Sequence, residues 1–168
     1  MFWSMYNAVQ DWMETTWVHH VVLDYAWSWP TLETLHFIGL SGLIGALIVM
    51  DLRLMGFEKI IPLRAVHALM PVAIVSFAIN LITGLGFVIA VPRMYTNNWS
   101  FWAKMICVAL AGVNFLIYYA LVEPKLMKAS PTAPPPLSAR AIGASSLVLW
   151  FSVLSFGRLL PYLGVGGG

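Results

Sequence analysis

Apolar positions along this chain follow two patterns. Over residues 2–21 they recur at three- and four-residue steps, through Phe2, Tyr6, Val9, Met13, Trp17 and then His20 or Val21. Asn7, Gln10, Asp11 and Glu14 fall largely elsewhere on the helical wheel. Trp3, Trp12, Trp17, Tyr25, Trp27 and Trp29 add the aromatic enrichment of a membrane–water boundary. The pattern predicts an amphipathic helix lying on a membrane surface, apolar side down, with residues 1–30 forming this interfacial helix and a connector.

Beyond it the apolar positions run on without a polar face. Four stretches come close to or exceed the roughly 20 residues that cross a hydrocarbon core: about Leu32 to Met50, Ala65 to Val91, Phe101 to Val122 and Ala139 to Leu163. Only helices satisfy their own backbone groups in lipid without a closed barrel. The expected fold is therefore all-α and integral to the membrane: a four-transmembrane-helix bundle over residues 31–163, preceded by the interfacial helix and followed by a Gly-rich tail at 164–168. Pro30-Thr31 is expected to break the first helix, with Thr31 as the N-cap of span 1 and Glu33 in its first turn. The stretch "SPTAPPPLS" reads as extended chain between spans 3 and 4.

Composition agrees with the pattern. The chain of 168 residues is 60% hydrophobic and 10% charged, against about 25% charged for a soluble domain. A dispersed net charge of +2 argues against nucleic acid as a partner, and a single cysteine, Cys107, excludes a disulfide framework. No small-residue cleavage site follows a basic leader, so a removable signal peptide is not expected. Charge also sets the orientation. Arg53, Lys59, Arg64, Lys125, Lys128 and Arg140 fall on one side of the four spans, and Arg93, Lys104 and Arg158 on the other. The excess marks the inner side, so both termini are expected outside, in the periplasm if the membrane is a bacterial inner membrane.

The candidate chemistry lies with the histidines. Three of the four, His19, His20 and His36, fall where the aromatic segment gives way to span 1, and His67 lies near the inner end of span 2. An ionisable residue within a span marks a functional site by default. On the outer side Arg93, Lys104 and Arg158 sit near span ends, with Trp102 beside Lys104. Histidine with a rim of cations and aromatics suits a b-type haem, whose iron takes imidazole and whose propionates take cations. It equally suits a quinone head group. Below His36, Gly39, Ser41, Gly42 and Gly45 allow either close helix packing or a flat groove for a macrocycle. Asn80 and Asn114 stand near mid-membrane and are expected to hydrogen-bond across spans 2 and 3.

The runs "LHFIGLSGLIGALIVMDLRLMG", "LRAVHALMPVAI" and "NNWSFWAK" resemble a family of small four-helix bacterial inner-membrane proteins of unassigned function, from about Trp29 to Leu160. More loosely the chain is similar to cytochrome b-like and copper-resistance membrane proteins. That resemblance implies a bundle that holds b-type haem and passes electrons between quinone and a partner, with His36 and His67 as candidate ligands. Only two histidines lie within spans, which leaves one haem at most, on His36 with His20 or His19, and its propionates on Arg93, Lys104 and Arg158. His67 would belong to a second, inner-side site. The expected function is thus a membrane electron-transfer subunit working with a larger complex or redox partner. The alternatives are an accessory subunit without cofactor and a small transporter or copper-handling protein.

Overall fold

The computed structural model describes residues 2–57, 61–128 and 134–163. Lys59, the tail at 164–168 and the 130–133 part of the Pro-rich stretch lie outside them. Every regular element among the described residues is helical: α1 (Phe2–Glu14), α2 (Trp17–Asp24), α3 (Ser28–Met55), α4 (Leu63–His67), α5 (Met70–Ala90), α6 (Pro92–Thr96), α7 (Trp99–Ile117), a π-helical turn (Tyr118–Val122), α8 (Glu123–Lys128) and α9 (Leu137–Leu163). Four continuous stretches are long and apolar enough to cross a membrane: Ser28–Met55, Ala65–Ala90, Trp99–Lys128 and Leu137–Leu163.

Three boundaries differ from the sequence pattern, each for a local reason. The helix expected over 2–21 stops at Glu14 and restarts at Trp17. There the Thr16 hydroxyl accepts from the His19 N–H, capping α2. Pro30 does not break span 1; it sits in the first turn of α3, where backbone N–H groups have no intrahelical partner and proline costs little. Thr31 is accordingly not a cap, and its hydroxyl donates back to the Trp27 carbonyl at 2.7 Å. At the other end α3 continues past Met50 to Met55, ending on Gly56 in the left-handed region at φ +100°. Asp51 and Arg53 are thereby carried into the helix and buried.

The spans do not close into a symmetric bundle. α3 packs along α5 and α9, and α9 along α7, whereas α5 and α7 are not in extended contact. Small residues bring α3 close to its neighbours. A Cβ on Gly39 would stand 2.8 Å from Asn80 Nδ2 of α5, and one on Gly42 would collide with the Ser76 hydroxyl. Across the other interface, a Cβ on Gly143 of α9 would lie 2.7 Å from the Asp51 carbonyl oxygen. Gly39 and Gly42 are therefore filled by α5, and the groove that a macrocycle would need at those two positions is closed, whereas Gly45 faces open space. Asn80 and Asn114 do not meet: Asn80 donates to Ser76 O within its own helix, and Asn114 donates to Ile142 O and accepts from Ser145 of α9.

One end of the bundle carries α1, α2 and α6 (the amphipathic end); the other carries α4 and α8 (the loop end). α1 is held by its polar edge. Gln10, buried, donates to Thr96 Oγ1 at 2.7 Å, and Tyr6 donates to Asn97 Oδ1. Its apolar Met5, Val9 and Trp12 remain uncovered. Asn98 caps α7 through the Ser100 N–H and donates to Leu160 O, while the buried Ser100 hydroxyl donates to Phe156 O. These bonds lock the start of α7 to the end of α9.

Candidate functional site

At the amphipathic end, His36 projects from α3 towards α5, and its Nδ1 lies 2.8 Å from Thr83 Oγ1. The hydroxyl has one hydrogen, which can go to Ile79 O at 2.7 Å, the carbonyl four residues back. When it does, Thr83 accepts from His36, and the imidazole proton is on Nδ1. In the neutral ring this leaves Nε2 as a bare lone pair, with no hydrogen-bond partner among the described residues. Phe87 holds the ring edge-on at 5.6 Å, and Trp29 stacks behind Phe87 at 5.1 Å. A histidine oriented from behind by a hydrogen bond at one nitrogen and free at the other is how ligating and proton-accepting imidazoles are presented.

Lys104 is the basic residue of α7. It stands in the second turn of α7, its chain alongside Gly157 of α9, where a Cβ would be 3.8 Å from the ammonium. Lys104 has no ion-pair partner among the described residues. His36 and Lys104 thus lie at the same end of the bundle, where α5 and α7 make no extended contact. On α6, burial raises the Tyr95 phenol above the ordinary range, and the Glu33 carboxylate adds to the rise.

The remaining sequence candidates are placed differently. Arg93 pairs with Glu14 at 3.0 Å and with Asp11, both on α1, and the Glu14 bond raises its already high proton affinity. Its charge is spent on joining α1 to α6. Arg158 lies over the Tyr162 ring at 5.5 Å. Trp102 donates its indole N–H to Thr96 O. On α2, His19 and His20 meet edge-to-face at 5.4 Å; His20 is exposed, with Asp24 at 3.6 Å, and the buried His19 Nδ1 has no hydrogen-bond partner. Among the described residues, neither ring makes a ring contact with His36.

The loop end contains a second polar cluster that sequence reading reduced to His67 alone. His67 Nε2 lies 3.0 Å from Glu123 Oε1 of α8, and His67 Nδ1 lies 3.4 Å from the Tyr118 hydroxyl. Tyr118 opens the π-helical turn, and Pro124 follows it. A proline ring clashes with the carbonyl four residues back in regular helix, so the wider turn at Tyr118–Val122 accommodates it. Both Tyr118 and Val122 are thereby buried against Leu54 of α3. Asp51 is 4% exposed, its Oδ2 has no hydrogen-bond partner, and its neighbour across the α3–α9 interface is the Ser146 hydroxyl. Arg53 is 2% exposed and donates to Ile61 O rather than to Asp51. Asp51 was legible only as a loop residue after Met50; the Gly56 stop signal was the clue that the helix runs on.

No group of three or more His, Cys, Asp or Glu side chains is placed to hold a metal ion among the described residues. Residues 9–163 match the model of a family described as Family of unknown function (DUF6644), and the chain belongs to that family. No curated protein and no solved structure matches the chain.

Proposed function

We propose that this DUF6644 protein is the membrane-embedded subunit of an electron-transfer complex, and that it binds a quinone head group at the amphipathic end between α5 and α7. The observation that carries the reading is His36, whose Nδ1 lies 2.8 Å from Thr83 Oγ1 while its Nε2 has no hydrogen-bond partner among the described residues. A quinone supplies two-electron redox chemistry coupled to proton uptake and release. In this reading His36 Nε2 accepts the hydroxyl proton of the reduced head group, and Thr83 holds the ring in the tautomer that can do so. Lys104, without an ion-pair partner among the described residues, is the donor to a carbonyl oxygen. The gap between α5 and α7 gives a long-tailed ligand a lateral path from the lipid.

A b-type haem on His36 is the second reading, favoured by the same free Nε2. Its support is narrower, because α5 fills the glycine groove and Arg93 is committed to Asp11 and Glu14. The lysine and arginine distribution supports an inner-membrane protein with the amphipathic end and both termini on the periplasmic side. With so little chain outside the bilayer, the electron donor or acceptor belongs to a partner subunit or redox protein.

The experiment is to purify the full chain in mild detergent, extract and identify bound quinone, and record the reduced-minus-oxidised absorption spectrum. Quinone that co-purifies, is lost in His36→Ala and binds about ten- to a hundredfold more weakly in Thr83→Val supports the proposal, that being the scale of an orienting hydrogen bond. A b-haem spectrum abolished by His36→Ala replaces it with the second reading. A folded protein with neither, supplied with both during expression, overturns both and leaves an accessory subunit without cofactor.

A further inference from the structure

Asp51 poses a separate question, independent of any ligand at His36. Its carboxyl is buried within a span, and among the described residues Oδ2 meets no donor and no cation pairs with it. Arg53 stands two residues on, which places it on another face of α3, and its Nη1 is itself unpartnered. An ionised carboxylate in such surroundings is strongly disfavoured, and the neutral acid is the form that can persist there. A neutral acid in a membrane interior is a stored proton. The matching question is whether that proton has a route to water.

The loop end supplies one. Tyr118 packs against Leu54, which stands one turn on from Asp51 on the same face of α3. The Tyr118 hydroxyl faces His67 Nδ1 at 3.4 Å, and His67 Nε2 faces Glu123 Oε1 at 3.0 Å. Exposure rises outward along this row, from Asp51 at 4% and Tyr118 at 7% to the His67 side chain at 30%. An imidazole bonded at both nitrogens can take a proton on one as it gives up a proton from the other. Tyr118 sits on the π-helical turn, a backbone feature that recurs at functional sites.

We propose that Asp51 is a proton-binding site of the membrane interior and that Tyr118, His67 and Glu123 form the relay connecting it to water at the loop end. In the outward step the Asp51 O–H bond breaks, and its proton passes to the Tyr118 oxygen, directly or through one bridging water. The Tyr118 hydroxyl gives its own proton to His67 Nδ1, and His67 gives its Nε2 proton to the Glu123 carboxylate. Asp51 ends as a carboxylate, Glu123 as an acid, and Tyr118 and His67 are unchanged in charge. Transfer of the Glu123 proton to water completes one release, and the reverse sequence reloads Asp51. The other ionisable side chains on the packed elements are Arg53, Tyr119, Lys125, Lys128 and Arg140, together with Arg64, whose side chain lies outside the described residues. None of the described four cations forms an ion pair with the cluster.

The test is infrared spectroscopy of the purified full chain in lipid, following the carbonyl stretch of protonated carboxylic acid across pH and on transfer to deuterated water. The expected result is an acid band at neutral pH that disappears in Asp51→Asn. Its deuterium exchange should slow roughly a hundredfold in Tyr118→Phe and His67→Gln, the scale on which a positioned proton carrier acts. Circular dichroism and gel filtration report folding in each variant. A band that survives Asp51→Asn, or exchange unchanged in both relay variants, overturns the proposal. Should Asp51→Asn fail to fold, Tyr118→Phe, which removes only a hydroxyl, decides the question through the exchange rate.

Discussion

His36 and His67 occupy opposite ends of the same bundle and are held in opposite ways. His36 is bonded at Nδ1 to one hydroxyl and free at Nε2, whereas both nitrogens of His67 face a polar partner. The surroundings repeat the contrast. At the amphipathic end the cation Arg93 is exposed and paired with surface acids, and Lys104 is left unpaired. At the loop end a carboxyl and a guanidinium are buried beneath a close helix contact. One end presents a nitrogen to something that arrives; the other joins its histidine into a row of polar side chains. A histidine within a span therefore says little about its role until the partner of each ring nitrogen is known.

The contrast predicts that substitutions at the loop end act mainly on stability and those at the amphipathic end mainly on ligand. The largest effect is expected from Gly143→Val. The new side chain must displace the α3 backbone at Asp51 O, 2.7 Å from its Cβ position, with Leu54 Cβ at 3.1 Å. Overpacking of this kind costs about 2–3 kcal/mol. Thermal unfolding in detergent measures it, and an unchanged midpoint would mean that α3 and α9 are not so close.

The two histidines come next. His67→Ala leaves the Glu123 carboxyl and the Tyr118 hydroxyl without their shared partner and should cost about 1–3 kcal/mol. His36→Ala loses a single hydrogen bond, about 1 kcal/mol, yet should remove all bound redox ligand. Equal destabilisation by both, with ligand retained in His36→Ala, would erase the distinction drawn between the ends.

The smallest effect is expected at the amphipathic surface. Burial raises the Tyr95 phenol, so the folded state holds its proton to higher pH than the unfolded chain does. Stability should then fall as pH climbs above the ordinary phenol range, about 10, and Tyr95→Phe should flatten that alkaline decline. Chemical denaturation at several alkaline pH values reads the slope; an identical slope in the variant would mean that Tyr95 is solvated.

Much of the fold was legible because the bilayer decides it locally. Length and apolarity alone mark the four spans, and the structure has helices at all four places. The boundaries were less legible, since proline carries opposite meanings in the first turn of a helix and in its interior, and Pro30 was read in the wrong one. Of the candidate site, His36 and Lys104 were visible as ionisable residues in or near spans. Thr83 was not, because a hydroxyl in a helix normally bonds its own backbone, and nothing in its neighbours shows that it also receives an imidazole. Glu123 read as the end of span 3, although helix continues through the π turn into α8 and brings the acid to His67.

What the sequence determined by itself is a chain of four apolar helices with an aromatic, amphipathic preface and its histidines towards the ends. Each of those properties depends on residues within one helix length of each other. The tertiary structure decided which polar groups meet: His36 with Thr83, 47 positions away, His67 with Tyr118, 51 away, and Asp51 with no cation among the described residues. Those meetings follow from where Gly39, Gly42 and Gly143 let helices approach. Lipid gives no hydrophobic drive for one helix pairing over another, so shape and hydrogen bonds between spans make that choice.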